Sequence, residues 1–559
     1  MSDHFPDWKE FKQQFVTLLK PESAFYQVVL VYSLAISLLT LAVPLSVQLL
    51  VDTVANIALP RAVFLIAGLL FALLFFSGVM YALRTYAMEL FSRRLYARIS
   101  SEIAMTAMLA ESDYFEEHQQ ADLFNRYFDI VTLKKTLPSI LTNGFTLLLQ
   151  AIIGFTVVSF YHFYLFIYCL ALIALIWLIW LIWGWAAINT GFRLSQAKYD
   201  TASWLQSLAV TNESYRTTHN PAYAIEETNR LIDNHIDCQK RHFRHTFSQL
   251  LSFLFLYASA SGVLLGVGGY LVIAGELTLG QLVAAELIML SILVGLPQLA
   301  GYLDSFYDAC AAVEEISRFR GVETQLPTKA SAVAMPADTR VVFKQVAFSR
   351  FGRTKAFDFV LPANAMVRVS GNPISLKWLA ELLRGNYQPS EGLITIGDID
   401  NLEIDRQALR VAIKVIDRVT LLPMTISDYL DLFIEASKLG GESYSKQQAL
   451  TALGLDEDIA RLHGGLKAKL SRSGWPLTQP QAIRLKLASA LLAQPKILVL
   501  GDIVDSVDVS TLQATLERLK KLGTTVLYYS KRQDVQCFTH ALEIDSEVQS
   551  LITYAQEEK

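Results

Sequence analysis

Long apolar runs separated by polar segments dominate the first half of the chain. Asp, Glu, Lys and Arg are absent from Ser23–Val51 and from Ala62–Leu83, and each run exceeds the roughly 20 residues that a helix needs to span a bilayer. The uncharged run Thr136–Phe192 is long enough for two such helices, and Thr246–Gly275 and Leu287–Tyr302 supply two more. The pattern therefore predicts six membrane-spanning helices, over residues 26–52, 62–86, 138–160, 163–188, 248–274 and 281–303.

The polar segments between these helices predict the orientation in the membrane. Lys and Arg are numerous after the second and fourth predicted spans, whereas the turns on the opposite side contain little more than Arg61. Positively charged segments stay in the cytoplasm during insertion. Because six spans place both termini on one side, we expect both in the cytoplasm. Residues 1–22 would then form a cytoplasmic segment before a membrane domain of residues 23–320.

One acidic residue, Glu286, lies inside the apolar sequence of the sixth predicted span. An unpaired charge in lipid is costly, so an acid at such a position is a candidate functional residue. The alternative is that Glu286 faces a water-filled cavity or lies near the outer headgroups. The sequence leaves both interpretations open.

The second half of the chain has a different pattern. Residues 321–340 are polar and small and contain proline, which is typical of a linker. From residue 341 to 559, short apolar runs alternate with helical patterns, which predicts an α/β domain with a largely parallel core sheet. The predicted strands are TRVVFKQVAFS, AMVRVS, GLITIGD, VAIKVID, KILVLGD, TTVLYYS and HALEID.

Composition narrows the class of protein. The 559 residues are 53% hydrophobic and 18% charged, which is too apolar for a purely soluble protein and too long for one domain. A net charge of −4 without any block of Lys and Arg argues against a nucleic-acid partner. The four cysteines are scattered, with no pair at ligand spacing, so no metal site is predicted.

Several motifs, in family order, resemble those of the ABC exporters, and within them the half-transporters of type I secretion systems. The motifs are LTLAVPLSVQLLVDTV, SDYFEEHQQADLFNRYFDI, GELTLGQLVAAELIML, RGNYQPSEGLITIGDIDN, LLPMTISDYL and ALLAQPKILVLGD. The resemblance implies an α-helical membrane domain of six transmembrane helices, as in type I ABC exporters, followed by an α/β ABC-ATPase-like domain over residues 341–559. It also implies a dimer in a bacterial inner membrane, with a periplasmic adaptor and an outer-membrane channel as candidate partners.

The chain departs from the family at the phosphate loop, whose pattern is G-x-x-G-x-G-K-[ST]. The corresponding residues run from Gly371 to Trp378, and they keep the first glycine and Lys377. The two inner glycines are replaced by Ile374 and Leu376, whose side chains disfavour positive φ and crowd an approaching phosphate. Trp378 replaces the hydroxyl that would hold magnesium. We expect Lys377 to be a solvated lysine at a helix start rather than a phosphate ligand.

Other nucleotide positions that the family implies are changed as well. Gly501 stands at the Walker B aspartate and Asp502 at the glutamate that polarises the attacking water. The adenine-stacking aromatic, the Q-loop glutamine and the switch histidine are replaced by Arg350, Asp417 and Lys531. Asp502 could act as a base in isolation. However, residues 378 and 501 supply no magnesium ligand, so little remains for Asp502 to act on.

The signature loop LSGGQ, which the family presents to the nucleotide of the opposing subunit, is also altered. Its positions hold Leu477, Thr478, Gln479, Pro480 and Gln481. Proline lacks the N–H that would donate to a phosphate, so this chain would complete neither its own site nor that of a partner. The D-loop aspartate is kept, as Asp508.

The altered nucleotide motifs, in a domain with an intact strand pattern, predict a degenerate nucleotide-binding domain, with weak or absent binding of ATP and magnesium. The first hypothesis is a catalytically inactive ABC half-transporter, paired with an ATPase-competent half in a type I secretion or export system. The second is a homodimeric, non-transporting membrane scaffold or regulator. The third is an atypical active exporter driven by ATP. No feature of the sequence identifies a substrate.

Overall fold

The computed structural model divides the chain into two compact units, Met1–Thr324 and Gln325–Lys559. The residues that the structure describes are 8–56, 60–110, 114, 121–217, 220–322, 324, 333–350, 352–437, 444–545, 549 and 551–554.

The described part of the first unit is built from α-helices. They are α1 Trp8–Leu19, α2 Ser23–Thr40, α3 Ala42–Asn56, α4 Pro60–Leu109, α5 Asp129–Ser139, α6 Phe145–Ser159, α7 Phe163–Val210, α8 Asn220–Ile273, α9 Leu279–Leu293 and α10 Gly295–Ser317. A π-helical segment, Ile140–Gly144, joins α5 to α6. The 3₁₀ segments are Lys20–Glu22, Ala121–Phe128, Asn212–Arg216 and Arg318–Gly321.

Six helical segments of the described residues are long and apolar enough to cross a membrane, which confirms the predicted number of spans. They are Phe11–Thr53, Val63–Leu109, Leu123–Ser159, Phe163–Val210, Asn220–Ile273 and Leu279–Gly321. Helices α4, α7 and α8 contain 50, 48 and 54 residues. At 1.5 Å per residue each is about 70–80 Å long, more than twice the roughly 30 Å of bilayer hydrocarbon. These helices therefore continue beyond the predicted spans, because hydropathy marks only their apolar part.

Ion pairs to buried acidic side chains join polar segments of the first unit. The Glu22 carboxylate is buried and receives Arg94 Nε and Arg98 Nε at 3.1 Å each. Arg126 forms an ion pair with Glu315, whose side chain is 2% exposed. Removing one partner of such a pair leaves a buried charge uncompensated, which is strongly destabilising. The polar segments of the first unit are therefore packed structure.

The second unit contains two sheets. Its strands are β1 Val341–Arg350, β2 Arg353–Leu361, β3 Met366–Ser370, β4 Glu391–Ile396, β5 Ile399–Asp400, β6 Ile413–Ile416, β7 Ile497–Leu500, β8 Thr525–Tyr529, β9 His540–Glu543 and β10 Leu551–Thr553. A four-stranded antiparallel sheet has the order β2-β1-β4-β5, and a six-stranded sheet has the order β10-β9-β3-β8-β7-β6. All pairings of the larger sheet except β10 with β9 are parallel, which confirms the predicted α/β fold.

Seven α-helices accompany these strands in the described part of the second unit. They are α11 Pro373–Leu383, α12 Arg406–Ala412, α13 Ile426–Ser437, α14 Lys446–Ala452, α15 Asp456–Ala460, α16 Gln479–Ala493 and α17 Val509–Lys521.

The central strands are apolar on both faces because helices cover both sides of the sheet. In β7, Leu498 and Leu500 join one buried cluster, which includes residues of α16, whereas Ile497 and Val499 join a second cluster, which includes residues of α11. Alternate side chains of a strand point to opposite faces. This packing fixes the carboxyl ends of the central strands side by side.

The predicted linker, residues 321–340, lies partly outside the described residues. From residue 333 the chain is hydrogen bonded within the second unit, since the Val333 N–H donates to the Glu403 carbonyl and the Asp405 N–H donates to the Val333 carbonyl, both at 2.9 Å.

Candidate functional site

A cavity of about 280 Å³ opens at the carboxyl edge of the six-stranded sheet, where β6, β7 and β8 end. Ligands of open α/β sheets bind at this edge. The lining residues are Pro373, Ile374, Leu376, Lys377, Ala380, Val415, Asp417, Arg418, Val499, Gly501, Asp502 and Tyr529. The fold thus brings together the phosphate-loop, Q-loop and Walker B positions, while Arg350, Trp378, the signature positions and Lys531 are not among the lining residues.

Helix α11 begins inside the segment that forms the phosphate loop in the family. Its first residue is Pro373, and Asn372 is the N-cap, whose side-chain oxygen accepts a hydrogen bond from the Ile374 N–H at 2.9 Å. The Asn-Pro pair favours this start, because asparagine caps helices well and the missing N–H of proline would have no intrahelical partner. Lys377 consequently lies in the second turn of α11, and its role as a solvated lysine rather than a phosphate ligand stays a prediction.

The backbone N–H groups of this segment have partners within the chain. The Ser375 and Leu376 N–H groups donate to the Asn372 carbonyl at 3.0 and 3.3 Å. The Asn372 N–H donates to the carboxylate of Asp545. Each N–H from Asn372 to Leu376 is therefore engaged, and Pro373 has none to offer.

Asp545 places an anionic side chain against the start of α11. Besides the Asn372 N–H, it accepts a hydrogen bond from the Ser375 hydroxyl at 2.8 Å and pairs with Lys355 Nζ at 2.7 Å. Partial burial opposes ionisation, but the hydrogen bonds from Lys355, Ser375 and Asn372 outweigh it and lower the pKa of Asp545. A carboxylate of the chain itself therefore stabilises the positive end of this helix.

Gly371 keeps the backbone conformation that requires glycine. Its φ is +135°, and a Cβ there would lie 2.7 Å from Ile544 Cγ1 and 2.9 Å from the Asp545 carboxylate. The Tyr529 hydroxyl donates to the Gly371 carbonyl at 2.8 Å. Ile374 and Leu376, in contrast, have helical backbones, so neither needs the positive φ that their side chains disfavour.

Trp378 belongs to an aromatic cluster of the core, and Arg350, which is half-buried, lies against that cluster. Trp378 is 4% exposed, and its indole packs edge-on against Phe348 with ring centroids 5.4 Å apart. Phe348 stacks on Tyr387 at 5.3 Å, and the Arg350 guanidinium lies 4.3 Å from the Tyr387 ring centroid. The positions that the family uses for magnesium and adenine here make packing contacts inside the chain.

The Walker B positions lie at the end of β7. The Gly501 N–H donates to the Ile416 carbonyl at 2.9 Å, and a Cβ at Gly501 would lie 3.2 Å from Asp417 Cα. An aspartate at 501 would therefore crowd the neighbouring strand end. Asp502 is exposed and lines the cavity, whereas Asp417 lies 3.5 Å from Arg418 Nε.

Asp505 connects the segment after Walker B to the segment after β8. Its carboxylate accepts hydrogen bonds from the Tyr528 hydroxyl, from the Ser530 hydroxyl at 2.7 Å and from the Lys531 N–H at 3.3 Å. The Arg532 guanidinium donates to the Asp505 carbonyl at 2.7 Å. The side chain of Lys531 is exposed, so at the switch position it is the backbone that makes this contact.

Asp508, the retained D-loop aspartate, is the N-cap of α17. It accepts hydrogen bonds from the Thr511 N–H and the Ser510 hydroxyl, both at 2.9 Å. Partial burial opposes ionisation, but these hydrogen bonds lower the pKa of Asp508.

The signature positions form the start of α16. Thr478 is the N-cap, and the Gln481 side chain accepts a hydrogen bond from the Thr478 N–H at 2.9 Å, as in a capping box. Leu477 is buried, while Gln479 and Pro480 are exposed in the first turn. The two polar residues kept from the signature thus cap the helix.

In the first unit, Glu286 lies on α9 and is half-buried. Among the described residues it has no hydrogen-bond or ion-pair partner. Its functional role stays a prediction.

Sequence reasoning did not identify Asp545, Asp505 or Tyr529. A signal for Asp545 was available, because it is the last residue of the predicted strand HALEID, and β9 runs parallel to β3 with Ser370 opposite Glu543. Parallel neighbours end at one edge, which places Asp545 beside Gly371. Asp505 and Tyr529 are held by distant partners that no local pattern marks.

Residues 27–296 match the family described as the ABC transporter transmembrane region. The chain is 26% identical over 292 residues to the lactococcin-A transport/processing ATP-binding protein LcnC of Lactococcus lactis, covering 50% of this chain and 40% of that protein. It is 24% identical over 350 residues to the mitochondrial iron-sulfur clusters transporter ATM1 of Saccharomyces cerevisiae, covering 60% of this chain and 49% of that protein. The chain thus spans less than half the length of these curated relatives.

The fold is similar to that of a bacterial Atm1-family ABC exporter solved with ATP bound. The TM-score is 0.78 over 95% of this chain and 94% of that chain, at 19% sequence identity. An identity this low establishes likeness of fold alone. Residues 27–296 are therefore similar to the ABC transporter transmembrane region, and the chain has the fold of an ABC exporter, in which six apolar helices precede an α/β domain.

Proposed function

We propose that this chain is a catalytically inactive ABC half-transporter, whose α/β domain keeps the fold of a nucleotide-binding domain without binding magnesium-ATP. The segment Gly371–Trp378 carries the proposal. Helix α11 begins at Pro373 within it, and its N–H groups donate to Asn372 and Asp545. A phosphate would have to displace these internal partners, and the carboxylate of Asp545 would repel it.

The residues present also do not fit a magnesium ion. The family supplies a hydroxyl and a carboxylate, and magnesium requires such oxygen ligands in a near-octahedral arrangement. Here Trp378 packs against Phe348, and Gly501 has no side chain. Two carboxylates remain at the cavity, Asp502 and Asp417, and Asp417 lies beside the Arg418 guanidinium, so we derive no hydrolytic step through either.

The altered signature positions concern the nucleotide site of the opposing chain in a dimer. ABC exporters complete each nucleotide site with the signature of the opposing chain, and the resemblance implies the same arrangement for a dimer that contains this chain. In this chain Gln481 is engaged in the cap of α16, and Pro480 has no N–H to donate. We therefore propose that the chain weakens both sites of any dimer that it joins.

We further propose that the partner is an ATPase-competent half-transporter in a bacterial inner membrane, within a type I secretion or export system. The relative LcnC, a transport/processing ATP-binding protein, supports the export assignment. The Lys-rich and Arg-rich segments after the second and fourth spans support cytoplasmic termini. A periplasmic adaptor and an outer-membrane channel belong to the same proposal.

A nucleotide titration of the full chain in lipid nanodiscs tests the loss of binding. A fluorescent ATP analogue is added with and without magnesium, and LcnC serves as the control. We expect no saturable binding up to roughly millimolar concentration, where the binding free energy is only about −4 kcal/mol. Magnesium-dependent binding in the micromolar range that K377A abolishes would overturn the proposal in favour of an active exporter.

Co-expression with a candidate active half tests the pairing. We expect the two chains to co-purify, with an ATPase rate that disappears when the phosphate-loop lysine of the partner is replaced. The homodimeric scaffold would be supported instead if this chain forms a stable dimer with itself even when that half is co-expressed. The shape of that homodimer should then be unchanged by ATP and magnesium.

A further inference from the structure

A second cavity, of about 460 Å³, lies between α4 and the segment formed by α5 and the π-helical turn. Arg84 and Glu89 line it from α4, Lys134 and Lys135 line it from α5, and Asn143 lines it from the π-helical turn. Glu89, Lys135 and Asn143 are exposed, so the cavity is open to the surroundings of the protein. None of these residues lines the cavity at the edge of the six-stranded sheet.

The cavity lies at the boundary between hydrocarbon and headgroups. Arg84 is the first charged residue after the uncharged run of residues 62–83. That run is about 33 Å long as a helix, close to the roughly 30 Å thickness of bilayer hydrocarbon. Lys135 is the last charged residue before the uncharged run that begins at Thr136. Two neighbouring spans thus bring their first cations to one level of the membrane.

Arg84 is buried and incompletely hydrogen bonded. It is 2% exposed, and its Nη1 donates to the hydroxyl of Ser33 at 3.1 Å and to the hydroxyl of Thr146. Its Nε is buried and has no hydrogen-bond partner among the described residues. A buried donor without an acceptor is destabilising. A hydrogen bond from this N–H to an oxygen of a ligand or of water would remove that cost.

The charges around the cavity favour an anion. Three cations line it, and the one acid, Glu89, is already paired with Arg93 Nε at 2.9 Å. Tyr81, one helical turn before Arg84 on the hydrocarbon side, lines the cavity and is 54% exposed, which provides apolar surface beside the charged groups. Phosphate oxygens accept hydrogen bonds from Arg and Lys, and acyl chains pack on apolar side chains.

We propose that this cavity binds the phosphate headgroup of an anionic phospholipid. Arg84 offers its guanidinium from the inner end of the cavity, and Lys134 and Lys135 offer ammonium groups nearer the mouth. The acyl chains lie along Tyr81, which precedes Arg84 in the uncharged run and therefore faces the hydrocarbon level. This site does not depend on the inactivity of the α/β domain.

The test uses the full chain in detergent and three probes, each titrated alone and followed by native mass spectrometry. The probes are dioctanoyl phosphatidylglycerol, dioctanoyl phosphatidylcholine and inorganic phosphate. We expect saturable binding of phosphatidylglycerol, weaker binding of phosphatidylcholine, and little binding of inorganic phosphate. The double variant K134Q/K135Q should bind phosphatidylglycerol roughly 25-fold more weakly, since each basic residue near a lipid headgroup contributes about fivefold.

The matched control is K240Q/R241Q, which also removes two adjacent cations. Both residues are exposed on α8 and neither lines the cavity. We expect this variant to bind like the wild type, and because K134Q/K135Q alters residues that are not fully buried, it should fold. Equal binding by the wild type and K134Q/K135Q would overturn the proposal. Binding of inorganic phosphate as tight as that of the lipid, or equal affinity for phosphatidylcholine, would overturn the anionic lipid as ligand.

Discussion

Replacing Trp378 by serine restores the residue type that the family uses for magnesium, and it separates a packing role from a lost catalytic role. The change removes an indole that is 4% exposed and contacts Phe348 at a centroid distance of 5.4 Å. Burial of roughly 200 Å² of aromatic surface contributes about 5 kcal/mol at 25 cal/mol per Å². Measured losses for tryptophan truncation in cores are about 3–5 kcal/mol. We expect W378S to lose a similar free energy of unfolding.

Thermal unfolding of the full chain in nanodiscs measures this loss. For a unit of this size, about 3–5 kcal/mol corresponds to a fall in apparent Tm of roughly 6–20 °C for the transition of the α/β unit. W378F is the matched variant, because it keeps an aromatic ring beside Phe348, and we expect it to lose less than half as much. A fall in W378S that corresponds to less than about 1 kcal/mol would refute the packing argument.

The nucleotide titration of the same variant tests whether a hydroxyl at position 378 restores magnesium-dependent binding of ATP. W378S leaves the start of α11 at Pro373 and the carboxylate of Asp545 in place. We therefore expect no gain of magnesium-dependent ATP binding. Micromolar binding by folded W378S would show that only a metal ligand was missing, and it would refute the role given to the helix start.

Three further predictions concern contacts that hold the second unit together. D505A leaves the buried hydroxyls of Tyr528 and Ser530 without their acceptor, so we expect a loss of about 1–3 kcal/mol and faster hydrogen exchange in β8; unchanged exchange would contradict the role of Asp505. The folded-state pKa of Asp545 is lowered from 3.8. The ionised carboxylate therefore contributes to the free energy of unfolding above the unfolded pKa, and this contribution is lost as pH falls through the lower folded pKa. Between about pH 5 and 3 the apparent Tm should therefore fall less in D545N than in the wild type, and parallel curves would contradict this. Burial raises the pKa of Cys537 to about 11, so timed alkylation followed by mass spectrometry at about pH 8 should proceed at least roughly tenfold slower than that of a free thiol; equal rates would count against its burial.

The sequence predicts the fold well because its signals there are local. An uncharged run long enough to span a bilayer needs no knowledge of its neighbours, and the buried strands β7 and β8 are apolar throughout. Helix ends are harder, since α4 continues to Leu109 although its apolar part ends at Leu83. Strand β2 alternates exposed and buried positions but was not predicted, because its charged residues interrupt the apolar pattern.

The candidate site is predicted less completely. The positions that depart from the family are visible in the sequence, but their contacts are not. Asn372 and Pro373 are a standard helix start, and that local signal predicts the beginning of α11 better than the family pattern does. Asp545 lies 173 residues from its partner Asn372, so only the sheet topology brings the two together.

The substitutions in the phosphate-loop segment depend on one another. In an ABC ATPase, backbone N–H groups of this loop point at a phosphate, so without ligand they need water or other acceptors. A buried N–H left unsatisfied costs about 1–3 kcal/mol, so a segment that no longer binds phosphate gains stability from internal acceptors such as those of Asn372 and Asp545. Once α11 begins at Pro373, Ile374 and Leu376 can adopt helical backbones, and Trp378 can enter the core beside Phe348. Restoring a serine at 378 alone therefore removes the packing contact with Phe348 without rebuilding a site for phosphate.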